Sequence, residues 1–177
     1  MTQQGKKAGA MRDCGEVAGR WMALDVGSRS IGVALSDPLG ITTRPLTTLR
    51  RRSLEEDTAF LLDLIRQHEV VQVVVGYPCH LNGRPSKILR VIEPLARQIE
   101  LQSGLPLVWA DERLSSKEAE RLMAERGWGV AERRRRRDEF AAALILQWYI
   151  DEKASPPDGR RKPKNGTSPC GQEQEGT

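Results

Sequence analysis

The chain is poor in aromatic residues, which make up 5 % of its 177 positions. Its core must therefore be built from Leu, Val, Ile and Ala. No run of about 18 apolar residues occurs, which excludes a membrane-spanning helix. The first 20 residues lack the apolar segment of a secretory signal. Only three cysteines are present, Cys14, Cys79 and Cys170. They are widely spaced and form no C-x-x-C pair, which argues against a zinc ribbon or a disulfide framework and for a reducing, cytoplasmic setting. Neither sign of charge dominates. Lys and Arg number 28 against 24 Asp and Glu, a net charge of +4. Bulk charge thus says little about a partner, whereas the local runs Arg50–Arg52 and Arg133–Arg137 say more.

A length of 177 residues fits one ordinary domain. Residues 1–20 are polar and read as a disordered N-terminal arm. Residues 152–177 are rich in Pro, Gly and charge and read as a disordered tail. The domain between them, 21–151, begins with two short apolar runs, Met22–Asp25 and Ile31–Ser36, joined by the hairpin signal Gly27-Ser28-Arg29. The Thr-rich stretch Ile41–Leu49 suits a third strand, with Pro45 pointing to an edge or a bulge. Ser53 and Glu56 form a capping box ahead of a helix. Val70–Val75 reads as a strand covered on both faces. A helix is expected over 86–101, with Pro94 able to kink it. A short strand 105–110, a helix 117–126 and a last helix from about Asp138 to Tyr149 complete the order β-β-β-α-β-α-β-α-α. Three successive strands followed by alternation predict an α/β fold, a mixed five-stranded sheet flanked by helices in a single domain.

Three acidic positions sit awkwardly in this pattern. Asp25 ends an apolar strand, where a buried carboxylate needs a partner that favours its charge. It reads either as a cation ligand or as a turn residue opening the hairpin. Asp111 and Glu112, with Arg113, close another apolar strand, at the kind of strand end where α/β sheets place ligands. They read also as an acidic start to the next helix, with Arg113 pairing with one of them. Asp138 is in line with Ala141, Ala142 and Ile145 on a buried helix face, and also reads as an N-cap. Acids drawn from several elements are what a two-metal phosphoryl-transfer site needs. Mg²⁺ or Mn²⁺ takes hard oxygen ligands from carboxylates of that kind.

The ordered set Leu24-Asp25-Val26-Gly27, Ile31-Gly32-Val33-Ala34, Ser36-Asp37-Pro38, Val74-Val75-Gly76-Tyr77-Pro78, Asp111-Glu112-Arg113-Leu114-Ser115 and Asp138…Ala141-Ala142…Ile145-Leu146 resembles the YqgF/RuvX family over about residues 21–151. The resemblance implies an RNase H-like fold related to the RuvC resolvases. It also implies a nuclease activity described either as Holliday junction resolution or as processing of the 5′ end of pre-16S rRNA. By motif, Asp25, Glu112 and Asp138 match the family's catalytic, metal-binding acids, and Asp111 adjoins the second of them. The arginine run before Asp138 and the aromatic at Tyr77 depart from the common pattern without removing an acid.

A nuclease must grip a polyanion. Arg133, Arg134, Arg135, Arg136 and Arg137 adjoin Asp138 and are candidates for phosphate contacts, or else form a solvated charge run. Arg29, Arg84, Lys87 and Arg113 lie in loops near the expected strand ends and are further candidates. Tyr77 and His80 read either as base-stacking or as packing residues. Trp109, Trp128 and Trp148 read as core or partly buried anchors, and His68 as a surface residue at a helix end. The expected partner is pre-rRNA within a ribosomal precursor, or branched DNA. No membrane is expected, and either a monomer or a homodimer fits. A non-catalytic ribosome-assembly factor keeping the same fold is the alternative from another class.

Overall fold

The computed structural model describes residues 19–78, 88–111, 115–125, 127 and 129–154. Nine elements follow the expected order: β1 (Arg20–Val26), β2 (Ser30–Ser36), β3 (Thr43–Arg50), α1 (Leu54–Gln67), β4 (Val70–Tyr77), α2 (Leu89–Ser103), β5 (Leu107–Asp111), α3 (Ser115–Glu125) and α4 (Val130–Ala154). The strands form one sheet in the order β3-β2-β1-β4-β5. The β1–β2 and β2–β3 pairs are antiparallel, while β4 runs parallel to both β1 and β5.

The hairpin closes where the sequence places it, with the Gly27 amide donating to the Ser30 carbonyl at 2.8 Å. β3 is an edge strand, and its register slips opposite Val33 and Ala34, where Pro45 stands. That position tolerates a residue unable to donate to the ladder. At the start of α1 the Ser53 hydroxyl accepts from the Glu56 amide at 3.1 Å. α2 runs without interruption past Pro94, which lies on its exposed side, and ends at Gly104 with a left-handed backbone.

Strand alternation divides the core into two layers. Met22, Leu24, Val33, Leu35, Val73 and Val75 pack with Leu61, Ile65, Ile92 and Ile99 of α1 and α2. Ala23, Ala34 and Val74 lie on the other face, against Ala142, Ile145, Leu146 and Tyr149 of α4. Small residues on both sides let α4 approach the sheet closely. Gln72, the one polar interruption of β4, donates to the Tyr149 hydroxyl at 2.9 Å, so its polarity is satisfied by α4. α3 packs on the outside of α4 through Ala119, Met123 and Ala141.

The expected start of the last helix needs correction. α4 begins at Val130, so the five arginines are its first turns and Asp138 lies more than two turns inside it. Asp138 is therefore no N-cap. Arginine is a good helix former, and a run of five is compatible with a helix. Trp148, 38 % exposed, is partly covered and stands outside the core. Most of the expected arm 1–20 and tail 152–177 falls outside the described residues; α4 extends to Ala154, past the expected boundary at 151.

Candidate active site

Asp25 is the sixth of seven residues in β1 and is 7 % exposed. Across the ladder its partner is Gly32. Residues directly opposite in an antiparallel pair share a face. Gly32 is in phase with Ala34, and Asp25 with Ala23, so both lie on the face that α4 covers. The contact there is backbone to backbone. A Cβ on Gly32 would fall 1.9 Å from the carbonyl oxygen of Asp138 and 2.7 Å from the Glu139 amide nitrogen. The missing side chain of Gly32 thus sets how near the Asp138 turn of α4 comes to the strand pair bearing Asp25.

The Asp138 carboxylate is held from both sides. One oxygen accepts from the Ser30 hydroxyl at the start of β2. The other faces the Arg137 guanidinium, whose Nε is 3.3 Å away. Ser30 lies two residues before Gly32 and so shares its face. The same strand therefore supplies the groove for the helix backbone and the donor for the helix acid. The hydroxyl fixes the orientation of the carboxylate, and the side chain stays 21 % exposed at the rim. The strand pair that bears Asp25 and the Asp138 turn of α4 thus lie against each other at one end of the sheet.

Below the turn that follows Asp25 lies a buried ion pair. Asp57 in α1 is 1 % exposed, and its Oδ2 is 3.1 Å from Arg51 Nε. Its other oxygen accepts from the Arg52 amide at 3.1 Å. Arg51 in turn donates from its backbone amide to the Arg29 carbonyl at 3.0 Å and from Nη1 to the Gly27 carbonyl at 3.4 Å. The turn 27–29 is thus tied to the start of α1.

A family model described as "RuvX: Holliday junction resolvase" matches residues 19–152, which takes in every strand of the sheet and both acids just placed. The chain belongs to the RuvX family. A Moorella thermoacetica protein named "Putative pre-16S rRNA nuclease" is 44 % identical over 132 residues, covering 75 % of this chain and 94 % of the relative. One of the same name from Symbiobacterium thermophilum is 45 % identical over 134 residues, covering 76 % and 93 %. Among solved structures, T. thermophilus RuvC in complex with a Holliday junction substrate superposes with a TM-score of 0.52 at 15 % identity, covering 75 % of this chain and 95 % of that one. That likeness bears on the fold, which is the RNase H-like mixed sheet expected. The family description and the relatives' names both denote hydrolysis of phosphodiester bonds, and this RuvX chain is a hydrolase of that kind.

Glu112, Arg113, Arg84, Lys87, His80 and Trp128 lie outside the described residues, as does the side chain of Asp111, whose backbone pairs with Tyr77 at the end of β5. Among the described residues no group of three His, Cys, Asp or Glu side chains is gathered to hold a metal, and Glu112 is not among those residues. Tyr77 is 2 % exposed and meets Trp109 edge to face at 5.5 Å, so it is a packing residue and not a stacking platform. Arg29 is exposed on the β1–β2 turn. The arginines of α4 are partly engaged: Arg136 Nε is 2.5 Å from Glu139 and its guanidinium lies over Phe140, and Arg135 reaches Glu132 at 3.9 Å.

Sequence reasoning passed over Ser30 and the Arg51–Asp57 pair. Both left a signal. Ser30 precedes Gly32 by two, which puts a hydroxyl in phase with the gap under α4. Asp57 stands four residues before Leu61 on the apolar face of α1, and five after the last of a run of arginines.

Proposed function

We propose that this chain is a divalent-metal-dependent nuclease that processes the 5′ end of pre-16S rRNA in the cytoplasm, acting on a ribosomal precursor. The observation that carries the reading is the Gly32 contact. It sets the Asp138 turn of α4 against the strand pair that holds the buried Asp25, so that acids 113 positions apart in the sequence share one end of the sheet. A buried Asp whose direct cross-strand neighbour is glycine, beneath a second acid, suits hard-cation chemistry better than a turn.

Two carboxylates supply hard oxygens that fit Mg²⁺ or Mn²⁺. Glu112, the residue that follows β5, is taken as the third acid on the motif Asp111-Glu112-Arg113. A bound divalent ion would activate a water and offset charge on the leaving oxygen. The protein's own part is positional. Asp25 anchors the site on the central strand β1. Ser30 orients the Asp138 carboxylate, and the Arg51–Asp57 pair steadies the turn between β1 and β2. Arg29 and the exposed arginines of α4 place positive charge around the acids, where a phosphodiester backbone approaches.

The test is a direct comparison of substrates. Pre-16S rRNA carrying its 5′ extension and a four-way DNA junction are each incubated with the protein, with and without Mn²⁺. Trimming of the RNA that requires Mn²⁺ supports the proposal. Symmetric cutting of the junction with the RNA untouched replaces it with a resolvase acting as a dimer. Tight binding of the RNA with no cleavage in Mn²⁺ or Mg²⁺ replaces it with a non-catalytic assembly factor.

A further inference from the structure

The three consecutive arginines at the end of β3 are divided by strand alternation. Arg51 turns inward to the buried Asp57, on the α1 side of the sheet. Arg50 lies one position earlier and is exposed. Its cross-strand partner is Ser30, the residue whose hydroxyl holds Asp138. Directly opposite residues share a face and stand with Cβ atoms about 5 Å apart. Two residues earlier Thr48 stands opposite Gly32 on the same face. Arg50 is therefore on the α4 face of the sheet, at the same end as Asp25 and Asp138. Among the described residues no ion pair engages its guanidinium. Its backbone cannot wander, because the next residue is clamped by Asp57 and by the carbonyls of Gly27 and Arg29.

We propose that Arg50 is a phosphate-binding residue of the substrate path, contacting the polynucleotide backbone on the β3 side of the acids, opposite the arginines of α4. This rests on the nuclease reading for the presence of a nucleic acid, and it deepens that reading by adding a second wall to the site. An exposed Arg on a fixed strand end beside two carboxylates serves a polyanion in two ways. It offers a planar fork to phosphate oxygens. It also offsets the repulsion between those phosphates and the acids. The contact is to the backbone, so the inference holds for RNA and for branched DNA alike.

The experiment separates binding from cleavage. Fluorescence anisotropy with the 5′-extended 16S rRNA fragment, in EDTA, gives the binding constant across a range of KCl concentrations. The slope of log K against log salt counts phosphate contacts, about 0.7 per contact for a single strand and about 0.9 for a duplex. Arg50→Ala is expected to lower the slope by about one contact and to weaken binding at low salt severalfold. Arg50→Lys is expected to keep the slope, since the charge remains. Arg44→Ala, an exposed arginine at the far end of the same strand, is the control and is expected to leave slope and affinity unchanged. Unfolding in urea is followed for each variant to show that the fold persists. An unchanged slope in Arg50→Ala overturns the proposal, and so does an equal fall in Arg44→Ala. A wild-type protein that binds neither the rRNA fragment nor a four-way junction overturns the nuclease reading as well, which distinguishes the two failures.

Discussion

Gly32 and Asp138 touch backbone to backbone: a methyl group on the glycine would sit 1.9 Å from the carbonyl oxygen of the aspartate. Gly32→Ala must push α4 outward at the point where it carries its acid. Overpacking of this kind costs about 1–3 kcal/mol. The loss of cleavage is expected to exceed what that destabilisation explains, because the displaced residue is Asp138 itself. Urea unfolding together with cleavage at a temperature where the variant is fully folded checks both halves. A folded variant cutting at the wild-type rate would show that the close approach has no bearing on the site.

Asp25→Asn and Asp138→Asn keep shape and remove charge. Each is expected to abolish metal-dependent cleavage, by about three orders of magnitude or more, since metal-assisted stabilisation of the transition state is worth several kcal/mol. Far-UV circular dichroism is expected to stay unchanged. Ser30→Ala removes only the donor that orients Asp138, and a milder fall of about 10–100-fold is expected. Single-turnover rates rank the three. Full activity in Asp25→Asn sinks the metal-site assignment.

Asp57→Ala leaves Arg51 buried without its counter-charge. The cost is expected at about 3–5 kcal/mol, as for other broken buried pairs. Replacing both residues with apolar ones of similar volume is expected to recover much of it. Chemical denaturation of the two single variants and the double variant measures this. Equal stability of Asp57→Ala and wild type would mean that the pair does not tie the 27–29 turn to α1.

Asp37 offers a pH-dependent check on the β2–β3 turn. Its carboxylate accepts from the amides of Thr42 at 2.9 Å and Ile41 at 2.7 Å. The bonds from Thr42 and then Ile41 hold its pKa below the ordinary aspartate value. A depressed folded-state pKa means stability that is present above the unfolded value and lost as pH falls through the folded one. The stability difference between wild type and Asp37→Asn is therefore expected to be constant near neutrality and to shrink below about pH 4. Thermal melts between pH 6 and pH 2 read the trend. A difference that grows on acidification contradicts it.

The order of strands and helices was legible because each element carries its own period and its own punctuation. Gly27-Ser28-Arg29 marks the hairpin, Ser53 and Glu56 cap α1, and Pro45 announces an edge. The start of α4 was not legible. Five adjacent arginines look like solvated loop, and only the packing of the alanines behind them shows that a helix runs through. The acids Asp25 and Asp138 could be named from their misfit in apolar patterns. The roles of Gly32 and Arg50 could not, because they acquire meaning only through cross-strand register, and register is a property of two segments at once.

The bond between Ser30 and Asp138 spans 108 positions of sequence. During synthesis the sheet strands emerge first, and the face holding Asp25 waits for α4 to cover it. The acids meet only after translation has passed the Asp138 turn and the helix has docked. On the proposed site, a nuclease chain still being made is thus an incomplete catalyst.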